Sequence, residues 1–100
     1  MLTAVEFEKL SFWEDTTPEE NITVYGMDFG PNYVMLTDDL GKTPVNEKSF
    51  IVVAAYDETD SFIWGVEFKN FAAFKELCVK YPAESDELFN ALRDYKPVKK

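Results

Sequence analysis

Histidine is absent from this 100-residue chain, and with it goes the side chain that most often moves protons near neutral pH. Ser-His-Asp and Cys-His nucleophile arrangements are excluded outright. A single cysteine, Cys78, excludes an intramolecular disulfide and leaves zinc without the Cys and His ligands it needs. Flanked by Leu77 and Val79, that thiol reads as a small buried hydrophobe rather than a nucleophile. The four glycines, Gly26, Gly30, Gly41 and Gly65, are scattered, so no glycine-rich loop cradles a phosphate. No apolar run approaches the ~20 residues of a membrane-spanning helix. The start, Met1 to Glu6, has no basic stretch of the kind that opens a signal peptide. The expected setting is a reducing cytosol, and no cofactor or metal is expected.

What the chain does have is aromatic mass. Nine Phe, five Tyr and two Trp supply a core, since each buried ring removes roughly 150–250 Å² from water. Disordered chains lack that content. One hundred residues is the length of one domain, residues 1–100, with a short basic tail at 96–100.

Nineteen acids against ten bases give a net charge of −9. The distribution is uneven. Residues 1–68 hold fourteen acids and three lysines, whereas residues 69–100 hold five acids and seven bases. The acidity belongs to the first two thirds of the chain.

Along the sequence, Val5 and Phe7 alternate with Glu6 and Glu8, which predicts a half-buried strand over 4–13 with a bulge near Lys9. Thr3-Ala4-Val5-Glu6 carries the competing signature, a helix capping box. Glu14 to Asn21, with Pro18, reads as a polar loop. Ile22–Phe29 and Tyr33–Thr37 read as strands joined through Gly30-Pro31-Asn32. Asp38–Lys48 is a loop broken by Gly41 and Pro44. Ser49–Tyr56 and Ser61–Phe68 are the plainest strands, joined by the turn Asp57–Asp60. The first of these is apolar on both faces, which predicts a central strand covered on two sides. Asn70 caps a helix with Phe71, Phe74, Leu77 and Tyr81 at helical spacing. Tyr81-Pro82 ends it, and Ala83–Asp94 is a second helix with Leu88, Leu92 and Tyr95 inward. Strands followed by helices predict an α+β fold, a four- or five-stranded antiparallel meander with two C-terminal helices on one face.

The chemistry left is that of carboxylates and rings. Calcium is a poor fit, because neither Asp38-Asp39 nor Asp57–Asp60 follows the EF-hand register. Direct nucleic-acid binding, including stacking of RNA on sheet aromatics, is opposed by the acidity of the strand region. The candidate site is a negative patch built from Glu6, Glu8, Glu14, Asp15, Glu19, Glu20, Asp38, Asp39, Asp57, Glu58 and Asp60. Such a patch steers association with a basic protein. The expectation is therefore a non-enzymatic protein-binding module for a basic protein, for example a nucleic-acid-binding one. Phage-type inhibitors that mimic DNA, and immunity proteins, act in this way as a class. The alternatives are a homodimeric interaction domain using exposed sheet aromatics, and a small-ligand-binding or carboxylate-based enzyme.

Overall fold

The computed structural model describes residues 3–17 and 22–95. Among them the order is α1 (Ala4–Lys9), β1 (Trp13–Thr17), β2 (Ile22–Phe29), β3 (Asn32–Thr37), β4 (Ile51–Tyr56), β5 (Phe62–Phe68), α2 (Phe71–Lys80) and α3 (Asp86–Arg93). The five strands form one antiparallel sheet in sequence order, β1-β2-β3-β4-β5. This is the meander expected of the α+β reading, with α2 and α3 following it.

Residues 4–13 differ from expectation. In place of one bulged strand, Ala4–Lys9 form a helix and Trp13 opens β1. The amide and hydroxyl of Thr3 donate to the Glu6 carboxylate at 2.9 and 2.6 Å, so the capping signature outweighs four residues of alternation. Phe7 is fully buried and stacks on Tyr25 with ring centroids 4.1 Å apart. The first strand lies where a loop was expected, at Trp13–Thr17, with Glu14 opposite Tyr25 and Asp15 opposite Val24. An edge strand has one neighbour and tolerates polar residues, so its composition resembles that of a loop.

Turn chemistry fixes the registers. Gly30 sits at φ 67° and, with Pro31, joins Phe29 to Asn32, as a two-residue turn with glycine at its first central position requires. Asp38 organises the β3–β4 connection, its carboxylate accepting from the amides of Leu40 and Lys42. Beyond the end of β3, the Thr43 hydroxyl takes over the ladder. It accepts from the Thr23 amide at 2.8 Å and donates to the Thr23 carbonyl at 2.7 Å.

One face of the sheet carries the core: Tyr25, Met27 and Phe29, then Val34 and Leu36, then Ile51, Val53 and Ala55, closed by Phe68. All three helices pack there. Phe7 of α1 meets Phe71 of α2 edge-on at 5.3 Å, and Phe74 of α2 meets Phe68 of β5 at 5.5 Å. Phe89 of α3 touches both Phe29 and Trp64. The Asn70 carboxamide accepts from the Ala73 amide at 2.9 Å, as a helix cap should. Asn70→Ala is expected to lower stability by about 1 kcal/mol, measurable as a shift of the urea midpoint.

β4 is interior but not covered twice. Ile51, Val53 and Ala55 are buried under the helices, while Val52, Ala54 and Tyr56 on the other face are only half-buried. No described helix lies over that second face. It is therefore the open side of a two-layer fold, despite its apolar sequence.

Candidate functional site on the open face of the sheet

Strand pairing arranges the open face in three rows. The central row runs Trp13, Gly26, Met35, Ala54, Gly65. Both of its glycines have a ring beside them. A Cβ on Gly26 would come within 2.3 Å of the Trp13 indole, and one on Gly65 would meet the Phe62 ring at 3.4 Å. Glycine at 26 is thus what allows Trp13 to lie across β2.

The second row, at the end of the sheet where β2 turns into β3, is Asp28, Tyr33, Tyr56, Phe62. Tyr33 and Tyr56 stack with centroids 5.4 Å apart, and Tyr56 meets Phe62 edge-on at 6.0 Å. A register shift between Ala55 and Tyr56 brings Phe62 onto this face. Phe62 remains 64% exposed and the neighbouring Ile63 43%. The third row, at the opposite end, is polar at its edges, with Asp15 opposite Val24 on one side and Val52 opposite Glu67 on the other.

The β4–β5 connection hangs from the aromatic row. It spans Asp57–Ser61, one residue longer than expected, and closes by the Asp57 amide donating to the Ser61 carbonyl at 2.9 Å. The Asp57 carboxylate turns inward and accepts from the Thr59 hydroxyl, the Thr59 amide and the Ser61 amide. Those bonds, the Thr59 hydroxyl foremost, hold its pKa below the usual carboxylate value. Asp60 accepts from the Tyr33 hydroxyl at 2.7 Å.

That bond stabilises the neutral phenol, so the Tyr33 pKa is pushed up to about 12. The phenol titrates near 10 when unfolded. A raised value on folding means the contribution is complete below pH 10 and is lost as pH climbs through about 12. Ultraviolet titration is expected to show a tyrosine step near pH 12, and Tyr33→Phe should remove that late step.

The acids singled out from the sequence separate into distinct places. Glu6 and Glu8 lie on α1, and Glu14 and Asp15 on the β1 edge. Asp38 and Asp39 stand in the β3–β4 connection, while Asp57, Glu58 and Asp60 stand in the β4–β5 turn. Those two connections lie at opposite ends of β4, roughly 17 Å apart at ~3.4 Å per residue. Glu19 and Glu20 lie outside the described residues, as does the basic tail at 96–100. Three of the candidates build local structure: Glu6 caps α1, and Asp38 and Asp57 hold their own turns.

The two ends also differ in charge. Around the β3–β4 end, Lys42, Lys48 and Lys69 intersperse with Asp38, Asp39 and Glu47. At the other end, Asp28 stands in the aromatic row and Asp57, Glu58 and Asp60 in the β4–β5 turn, with no basic residue in either hairpin turn. Asp28, Tyr33, Tyr56 and Phe62 were not among the residues picked from the sequence. The signal was present, because a two-residue turn at Gly30-Pro31 pairs Asp28 with Tyr33 by counting. Compared with known proteins, the chain matches no family model, no curated protein and no solved structure.

Proposed function

We propose that the chain is a protein-binding module whose contact surface is the open face of the sheet, and that its partner is basic. The observation that carries this reading is the Asp28-Tyr33-Tyr56-Phe62 row with Glu58 and Asp60 beside it. Aromatic rings bordered by carboxylates suit arginine, whose planar guanidinium stacks on tyrosine while pairing with an acid. Five strands ~4.8 Å apart and three rows ~6.7 Å apart give a face of roughly 20 by 15 Å. That is the scale of the apolar centre of an ordinary protein interface, with charged residues at its rim.

The original expectation of a basic partner is kept, with its basis narrowed. The carboxylates of one sheet end and the rings beside them replace a patch drawn from the whole N-terminal region. A nucleic-acid-binding protein, taken by mimicry of phosphates, is one member of the partner class.

A second copy of the chain is the competing occupant of the same face. Apposing two chains of net charge −9 carries a repulsion that a basic partner does not. Affinity capture from a cell extract, at low and high salt, compares the natural chain with an Asp28→Asn/Glu58→Gln/Asp60→Asn variant. Basic proteins should be retained at low salt by the natural chain and lost from the variant. Equal capture by both, or a stable dimer in light scattering that the extract does not displace, would refute the reading.

A further inference from the structure

The two edges of the sheet are built differently. β1 and β5 each pair with one neighbour only. Among the described residues, no backbone hydrogen bond leaves Phe62–Phe68 on the side away from β4. Folded proteins guard such edges with short strands, charges, proline or bulges. β1 follows that rule, with five residues and Glu14, Asp15 and two threonines after Trp13. β5 does not. It is seven residues long, without proline or lysine, and Glu67 is its one charge. The register shift at Ala55/Tyr56 disturbs only its first end, leaving Trp64–Phe68 paired one to one with Ile51–Ala55. A regular, unguarded edge is where an extended segment of another protein can add as a further strand.

The rows of the open face say what that strand should carry. Its open-face side chains would lie ~4.8 Å beyond β5 and ~6.7 Å from one another. One falls opposite Glu67, which is exposed in the polar row. The next falls beside Gly65, exposed and without a side chain, where an aliphatic group would pack on the neighbouring Phe62 ring. The third falls at Phe62 and Ile63, with Glu58 and Asp60 in the turn that precedes them. Opposite charges stabilise a cross-strand pair, and arginine stacks on a ring while pairing with an acid. Lys69, exposed just past the strand, opposes a further base beyond Glu67. A second copy would bring its own charge of −9 to the same edge, so a basic segment is the complement.

We infer that the outer edge of β5 takes an extended segment of the basic partner as a sixth, antiparallel strand of pattern base–x–aliphatic–x–arginine. The inference rests on the reading of the open face as a surface for a basic partner, and adds to it the backbone edge and the sequence that edge selects.

The test is an NMR titration of the whole chain with the peptide acetyl-Thr-Arg-Thr-Leu-Thr-Arg-Thr-amide and with two N-methylated versions. One version is methylated at the Arg and Leu amides, the other at the two Thr amides between them. Alternate residues of a strand direct their amides to the same side. One methylated peptide should therefore bind about tenfold or more weakly, while the other keeps the parent's affinity. Amides of Ile63, Trp64 and Val66 should shift, and the Trp13 indole on the far edge should stay still. Glu67→Lys should weaken the parent peptide about fivefold. Equal binding of all three peptides, with Asp28, Tyr33 and Tyr56 shifting, would overturn strand addition and leave the open-face reading intact. No shift at those residues or in β5 with any peptide would overturn both. Protection of β5 amides that grows with protein concentration before peptide is added would give the edge to a second copy and overturn the inference.

Discussion

Phe74→Ala is expected to lower the stability of the fold by about 3–5 kcal/mol. Phe74 is fully buried on α2 and touches Phe12, Phe68 and Phe71 at centroid distances of 5.5, 5.5 and 6.2 Å. Its ring thus joins the segment after α1, the edge strand β5 and its own helix. Alanine would leave a cavity bounded by three other phenylalanines, all held by separate elements, so the walls cannot close on it together. A domain this size has about 5–15 kcal/mol in total. At a urea dependence near 2 kcal/mol per molar, the midpoint should fall by roughly 2 M with the slope unchanged. A fall below about 0.5 M would mean that the helical layer relaxes into the space, and that the ring contacts do not anchor α2.

The second large effect concerns binding. Tyr56 lies between Tyr33 and Phe62 in the ring row, and interface energy concentrates in such central aromatics. Tyr56→Ala should weaken capture of a basic partner by roughly thirtyfold, mainly through faster dissociation. The Asp28→Asn/Glu58→Gln/Asp60→Asn variant should act on the other rate, slowing association by about tenfold or more and flattening its salt dependence. The two classes of residue are therefore separable by kinetics. Asp57 is kept in that variant because its carboxylate ties Thr59 and Ser61 into the turn, and neutralising it would disturb the surface under test.

Much of the fold was readable from spacing. The hairpins around Gly30 and Asp57, the helix opened by Asn70 and its end at Pro82 follow from turn chemistry, caps and alternation, all of which are local. The errors have physical causes. Val5 and Phe7 alternate because α1 presents so little of itself to the core: only Phe7 is buried in its six residues. β1 reads as a loop because an edge strand with one neighbour need not be apolar. The double-sided apolar pattern of β4 implied a second covering layer, whereas its Val52, Ala54 and Tyr56 face belongs to the open side of the sheet.

The candidate site was less legible. Carboxylate count pointed to the N-terminal two thirds, but the parity of a meander sends Asp38-Asp39 and Asp57–Asp60 to opposite ends. Charge alone also cannot reveal which carboxylates are already committed to their own backbone, as those of Glu6, Asp38 and Asp57 are. The residues that matter in the present reading are ordered by register. Tyr33 and Tyr56 are twenty-three positions apart in sequence and directly opposed across β3 and β4.

The most direct measurement is an NMR titration of the chain with a short arginine-rich peptide. A partner-binding open face requires the amides of Asp28, Tyr33, Tyr56, Glu58 and Phe62 to shift together, saturably, and to stop shifting in Tyr56→Ala. Shifts spread over every acidic segment, with Asp38, Asp39, Asp86 and Glu87 moving as much as Asp28 and Tyr56, would contradict it.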